Sequence, residues 1–262
     1  MISFQEFKQQ SQAGKGDKIR SAGLVYRLQR RLSVRLSWLI AKWLPGFRPN
    51  QLSAMNVVLV VLTVLLSLRQ PVVASFAVGQ LILLWFSSVL DKMDGELARF
   101  RHHFSQAGIY YDLLYHFLYP LAFYVIVGLY FSGLFGSPVL AILSFAVGML
   151  ASLYKMIGKL RHHIRFKIKL ENHASAIADY RPINQNLPNL SFSQKVVEQT
   201  TLMIYGAVWV WYVALVIFST IDALLAGTLF FLHLLVTFVV LLWRLLWTIP
   251  RYRLFTRAEL ES

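Results

Sequence analysis

The chain is organised around two adjoining stretches of sequence, Asp91-Lys-Met-Asp94-Gly95-Glu-Leu-Ala98-Arg99 and Gly108-Ile-Tyr-Tyr-Asp112-Leu-Leu-Tyr-His116. Both lie next to strongly apolar runs, where a carboxylate is costly unless something pairs with it, so their acidic residues are candidates for function. Helical spacing sets Asp91, Asp94, Gly95 and Ala98 of the first stretch on one stripe. It sets Gly108, Asp112 and His116 on another. Small residues beside potential ligands predict an open pocket rather than a packed helix seam.

The spacing resembles the signature of the CDP-alcohol phosphotransferase family, D-x2-D-G-x2-A-R-x8-G-x3-D-x3-D. The positions that match in residue and spacing are Asp91, Asp94, Gly95, Ala98, Arg99, Gly108 and Asp112. His116 stands where the family has its fourth Asp, the residue that the family is thought to use as catalytic base. The departure from the family pattern therefore affects the predicted catalytic chemistry more than the predicted fold.

Composition predicts a membrane protein with several spans. Hydrophobic residues make up 57% of the 262 residues and charged residues only 15%, which is unlike a soluble domain. Cysteine is absent, so disulfides and Cys-ligated metals are excluded. A net charge of +14 could suggest nucleic acid, but the placement of basic residues around membrane spans explains it better. No nucleic-acid partner is expected.

Six apolar segments, each near the ~20 residues that a bilayer requires, predict six transmembrane helices. The segments are 51–68, 72–97, 108–131, 138–158, 197–220 and 223–247. The predicted fold class is thus an all-α integral membrane protein. Its parts are a cytoplasmic N-terminal segment over 1–48, a six-span membrane domain over 49–250 and a cytoplasmic tail over 251–262.

The N-terminal segment divides into two parts. Residues 1–20 are polar and are expected to be loosely ordered. From Ala22 to Phe47 leucines alternate with arginines, and Trp38 and Trp43 are added, so this part is too charged to span and predicts an amphipathic helix in the cytoplasmic headgroup region. It is expected to serve as a juxtamembrane anchor, with a share in covering the active site as the second interpretation.

Basic residues set the expected orientation. They concentrate in residues 1–50, around Arg99 and Arg101, between Lys155 and Lys195, and in the tail, whereas the other turns contain only Arg69. Basic residues mark the cytoplasmic side, so both termini and the motif are predicted to be cytoplasmic. An even number of spans agrees with this. The expected location is a membrane of the bacterial inner-membrane type.

Three carboxylates at one membrane face predict a divalent metal site. Asp91, Asp94 and Asp112 offer the oxygen ligands that Mg²⁺ and Mn²⁺ take, and such ions bridge carboxylates to phosphates. The resemblance implies a CDP-alcohol donor, a lipid or other alcohol as acceptor, release of CMP, a role in phospholipid or glycoconjugate synthesis, and a homodimer. It also implies nucleotide-binding residues, which are Asn50 in the Pro49-Asn50-Gln51-Leu52-Ser53 stretch, Asp91, Gly95, Ala98, Arg99 and Gly108.

Three interpretations of His116 stay open at this point. It could act with Asp112 in catalysis as the general base in place of the missing carboxylate. It could be a neutral metal ligand, which suits Mn²⁺ or Zn²⁺ better than Mg²⁺. It could also mark a protein that has lost turnover and only binds a nucleotide or lipid, which is the alternative function.

Two further positions carry weaker expectations. Lys155 and Lys159 share a helix face at the end of the fourth span, where they either anchor the helix or bind an acidic acceptor. Glu96 lies off the motif stripe and is expected to be solvated or paired with a nearby arginine. A transporter would need polar residues spread through several spans, and the last two segments offer few.

Overall fold

The computed structural model describes residues 2–13, 24–69, 72–103, 105–172 and 208–252, without the side chains of 158–172, 208–209 and 247–252. This part of the chain folds into helices with no strand among them. They are α1 (Phe4–Ser11), α2 (Leu24–Trp43), α3 (Pro49–Ser67), α4 (Ala74–Phe100), α5 (Gln106–Phe135), α6 (Pro138–Asn172), α7 (Val208–Phe218) and α8 (Ala223–Tyr252). The predicted all-α class is confirmed.

Among the described residues, five helices are long and apolar enough to cross a membrane. They are Pro49–Ser67, Ala74–Phe100, Gln106–Phe135, Pro138–Ile157 and Ala223–Leu246. These coincide with five of the six predicted segments, so the chain is a multi-pass integral membrane protein, as predicted. The remaining segment, 197–220, overlaps α7, and its residues 197–207 lie outside the described part.

Helix α5 is the centre of the bundle, since it contacts α3, α4, α6 and α7. A large buried cluster forms around its second half, where Phe123, Ile126 and Phe131 are almost inaccessible. Pro120 lies inside the helix. The helix ends at Gly136, whose φ of 61° places it in the left-handed region that glycine adopts without strain.

The first residues form a short helix, and the expectation of loose order is wrong for Phe4–Ser11. The Ser3 backbone N–H and hydroxyl donate to the Glu6 carboxylate while the Ser3 oxygen accepts from the Glu6 N–H, which caps the helix. These bonds hold the pKa of the Glu6 carboxyl below its usual value. Phe7 is fully buried, with its ring 4.7 Å from that of Phe100 on α4.

Helix α2 occupies most of the predicted amphipathic segment, but its polar side faces the protein. Gln29, Arg30, Ser33 and Ser37 are buried against α4, while Leu24, Leu28, Leu39 and Trp43 are exposed. Residues 27, 31 and 35 are exposed arginines on the same outer side. The helix therefore joins a polar seam inside the molecule to an apolar and basic outer face.

The turn after α4 is tied to the chain before α3. The guanidinium group of Arg101 donates to the backbone carbonyl of Phe47 and, at 3.1 Å, to that of Leu44. Partial burial lowers the pKa of Arg101. These bonds bring the start of α3, the end of α4 and the start of α5 together at one end of the bundle, which we term the motif end.

Candidate metal and nucleotide site

Three side chains converge at the motif end, one from α4 and two from α5. The Nε2 atom of His116 lies 3.3 Å from an Asp112 oxygen and 3.8 Å from an Asp91 oxygen. One ligand atom from each of the three residues falls within 4.8 Å of the others. The side chains are 12%, 32% and 19% exposed for His116, Asp112 and Asp91, so the group is only partly buried. Two carboxylates and one imidazole at this separation form a donor set that fits a divalent ion.

Asp94 does not belong to that group of three, although the sequence predicted it as a metal ligand. Its carboxylate accepts a hydrogen bond of 2.6 Å from the hydroxyl of Ser53 on α3. The Ser53 hydroxyl also bonds to the Pro49 carbonyl. Asp94 is thus oriented by α3, one helical turn beyond Asp91 on the same stripe.

Asn50 and Gly108, both predicted to face a nucleotide, are neighbours. The hydroxyl of Ser105 donates to the Asn50 side-chain oxygen at 2.8 Å and accepts from the Gly108 N–H at 3.0 Å. A Cβ atom at position 108 would lie 3.1 Å from the Asn50 oxygen. A larger residue at position 108 would therefore require the side chains of Asn50 and Ser105 to shift slightly.

Arg99 and Gly95 form a second contact on the motif stripe. The Nε atom of Arg99 donates to the Ser11 carbonyl at 2.6 Å. Its Nη1 atom would lie 3.2 Å from a Cβ at position 95, so the guanidinium group covers the glycine. Ala98 is partly exposed beside them. Apart from Asp91, which lies in the three-ligand group, the predicted nucleotide-binding residues therefore fall into two groups.

Glu96 is buried, which corrects the interpretation that it is solvated and agrees with the alternative that it pairs with an arginine. Its side chain is 0% exposed and its carboxylate lies 3.2 Å from Nη1 of Arg30. The hydroxyls of Ser33 and Ser37 donate to it at 3.0 Å each. Sequence reasoning missed these partners, although α2 carries them at helical spacing on one face.

The sequence predicts Lys155 and Lys159, at the end of the fourth span, as an anchor or as a binding site for an acidic acceptor. The ammonium group of Lys155 lies 5.3 Å from the ring centre of Tyr119, which follows His116 by three residues on α5. Lys155 thus packs against an aromatic ring that lies about one helical turn from His116 on α5. The side chain of Lys159 lies outside the described residues.

Comparisons with known proteins identify the family. A comparison with curated proteins found no match. The family model described as CDP-alcohol phosphatidyltransferase matches residues 47–180, which is just over half of the chain and includes every motif residue. With the helical membrane fold and the convergent motif side chains, this match establishes that the chain belongs to the CDP-alcohol phosphatidyltransferase family.

Proposed function

We propose that the protein is a metal-dependent transferase that moves a substituted phosphate group from a CDP-alcohol to an acceptor alcohol and releases CMP. The observation that carries the proposal is the convergence of Asp91, Asp112 and His116 within 4.8 Å, inside the region that matches the family. A role in phospholipid or glycoconjugate synthesis follows from a membrane site of this kind. Both termini and the site face the cytoplasm in this proposal, with a bacterial inner membrane as the location and a homodimer as the assembly.

The metal proposed for this group is Mn²⁺ or Mg²⁺. Carboxylate oxygens suit both ions, whereas an imidazole nitrogen favours Mn²⁺. When bound, a divalent ion neutralises the charge that develops as the phosphoanhydride breaks. Nε2 of His116 lies toward both carboxylates, which supports a ligand role over the role of general base.

The donor is held by the residues on either side of the metal group. Gly95 and Ala98 carry little or no side chain, so a nucleotide phosphate can lie close to α4 beside the Arg99 guanidinium that covers Gly95. Arg99 provides a planar guanidinium for phosphate oxygens. Asn50, fixed by Ser105, faces the base or ribose from α3.

The reaction then needs a single displacement at phosphorus. The hydroxyl oxygen of the acceptor forms a bond to the phosphorus that carries the donor alcohol, and the bond from that phosphorus to the CMP oxygen breaks. CMP leaves with the electron pair, and the hydroxyl proton passes to a basic group of the site. Lys155, which lies over Tyr119, is proposed to attract an acidic acceptor, and Lys159 would extend that charge.

The test is CMP release by the purified protein from candidate CDP-alcohols in the presence of Mg²⁺ or Mn²⁺. Asp91→Asn and Asp112→Asn should each abolish release, because each change removes an anionic ligand and keeps nearly the same shape. Asp222→Asn is the matched control, since Asp222 is exposed and caps α8 through the Leu225 N–H. Full activity in either site variant would rule out the proposed metal group.

A family member that only binds a nucleotide or lipid gives a different pattern. Neither the wild type nor any variant would then release CMP, while nucleotide binding would still depend on the carboxylates. Measuring CDP binding beside CMP release separates this alternative from the transferase.

A further inference from the structure

The buried carboxylate of Glu96 joins the motif to the N-terminal helices. It accepts hydrogen bonds from Arg30, Ser33 and Ser37, all on α2. A carboxylate that is removed from water is stable only when it is paired and hydrogen-bonded. Among the described residues, the hydrogen bonds to the Glu96 carboxylate come from α2 and from Gln12, the residue that follows α1. The end of α4 is therefore fastened by a part of the chain that precedes the family match at residue 47.

Helix α1 adds a second attachment at its carboxyl end. The side-chain amide of Gln12 donates to Glu96 at 3.4 Å, and the carbonyl of Ser11 accepts from Arg99 at 2.6 Å. Glu96 and Arg99 lie one turn apart on α4, and the consecutive residues 11 and 12 reach both. The free carbonyls at the end of a helix favour a nearby cation, so this end of α1 suits the guanidinium group.

These contacts fix the direction of the Arg99 side chain. Nε is held by Ser11, and Nη1 lies against Gly95. Nη2 is buried and has no hydrogen-bond partner among the described residues. A buried donor left unpaired is costly, and an oxygen of a ligand would satisfy it.

We propose that Glu96 is a positioning residue that acts through Arg99. It anchors α1 and α2 to the motif, and the anchored end of α1 directs Nη2 of Arg99 toward a phosphate oxygen of the donor. The inference rests on the proposed function, because it assumes that a cytidine diphosphate group binds beside Gly95. It assigns a part in the substrate site to Ser11, Gln12 and the buried polar residues of α2, which lie outside the family match.

The experiment compares the binding of CDP with that of cytidine, which has the same base and ribose but no phosphate. Full-length wild type, Glu96→Gln, Arg99→Gln and the double variant are measured in the same detergent with Mn²⁺ present. Glu96→Gln should raise the Kd for CDP about tenfold, as expected for the loss of a charge-assisted hydrogen bond, and should change the Kd for cytidine less than about twofold. The double variant should bind CDP no more weakly than Arg99→Gln alone, because the two residues act on one contact.

Two further variants control for a general effect of removing a carboxylate and for failure of Glu96→Gln to fold. Glu6→Gln changes an exposed carboxylate on α1 and keeps a residue that can form the capping box, so its affinity for CDP should equal that of wild type. Gln12→Ala leaves the Arg30–Glu96 pair in place, so it reports on the α1 attachment even where Glu96→Gln fails to fold. Gln12→Ala should weaken CDP binding in the same direction by a smaller factor.

Two results would overturn the inference. One is an equal loss of CDP and cytidine binding in Glu96→Gln or in Gln12→Ala, which would indicate a general structural role. The other is a Kd for CDP in the double variant that is raised by the product of the two single-variant factors, as expected for independent sites. Failure of the wild type to bind CDP at all would instead overturn the proposed function, and the inference with it.

Discussion

At the scale of single residues, His116 has the most informative position. It stands at the position of the fourth aspartate in the signature that the sequence resembles, and its Nε2 atom lies 3.3 and 3.8 Å from oxygens of Asp112 and Asp91. A neutral nitrogen in place of an oxygen anion reduces the negative charge of the donor set by one. In the proposed metal site, an imidazole ligand would favour a softer ion such as Mn²⁺ over Mg²⁺.

The first prediction is that His116 coordinates Mn²⁺ directly. Electron spin echo measurements on the Mn²⁺-loaded wild type should detect a coordinated nitrogen, and the signal should vanish in His116→Ala and in His116→Asp. His116→Ala should weaken Mn²⁺ binding by roughly 10–100-fold or more. Removing a residue that only supports a metal ligand already costs that much affinity. His116→Asp should restore affinity and shift it toward Mg²⁺, because it supplies an oxygen anion.

A role of His116 as general base leads to different results. His116→Ala would then keep its Mn²⁺ affinity, and it would lose roughly 10²–10⁴-fold in rate whatever the metal concentration. A nitrogen signal that persists in His116→Ala would also contradict the ligand role.

The motif residues were predictable because their spacing is local. Asp91, Asp112 and His116 lie on two consecutive helices joined by a short turn, and helical periodicity sets Asp112 and His116 on one stripe of the second helix. The burial of Glu96 was not predictable in the same way. It depends on α2, whose contacting residues lie 59 to 66 positions away in sequence, and no local pattern specifies which face of α4 that helix covers.

At the scale of elements, close packing between α5 and α6 depends on Gly128. A Cβ atom at this position would lie 2.3 Å from the Cβ of Ser144, which is fully buried on α6. Two helices that approach through small residues gain van der Waals contact in a membrane, where the hydrophobic effect does not drive their association.

Gly128→Ala should therefore destabilise the protein by about 1–3 kcal/mol, the usual cost of overfilling a packed interior. Thermal unfolding of the purified protein in detergent measures the loss as a lower midpoint. Gly79→Ala is the control, since a Cβ there meets nothing within 4 Å, and its midpoint should stay the same or rise. Ser144→Gly combined with Gly128→Ala should recover much of the loss, and an unchanged midpoint in Gly128→Ala alone would contradict the packing argument.

The helices themselves were predicted unevenly. Long apolar segments identified the spans of α3, α4, α5, α6 and α8, because hydrophobic length is a strong signal. Helix α1 was missed, since eight mostly polar residues give little periodicity. Its signal was the pair Ser3 and Glu6, a capping box, followed by Phe7.

At the scale of the whole molecule, the orientation in the membrane is the property to test. Reporter fusions after Leu134 and after Asp222 should read as exterior, because the loops there lack the basic residues that mark the cytoplasmic side. Fusions within 170–190, most of which lies outside the described residues, should read as cytoplasmic. A cytoplasmic reading at Leu134 would mean that the proposed orientation is inverted. The site would then lie on the side of the membrane away from soluble CDP-alcohols.

Pro120 creates a point at which the central helix, α5, bends most easily. It follows His116 by one turn, and because proline has no N–H it cannot donate to the His116 carbonyl as a helical residue four positions later would. The backbone ladder of α5 is therefore interrupted between the segment that carries Asp112 and His116 and the segment that lies in the large buried cluster. Bending α5 costs least at this joint, so the segment that carries Asp112 and His116 can tilt as a unit. Such a tilt would move Tyr115, a buried member of the cluster, together with the two candidate ligands.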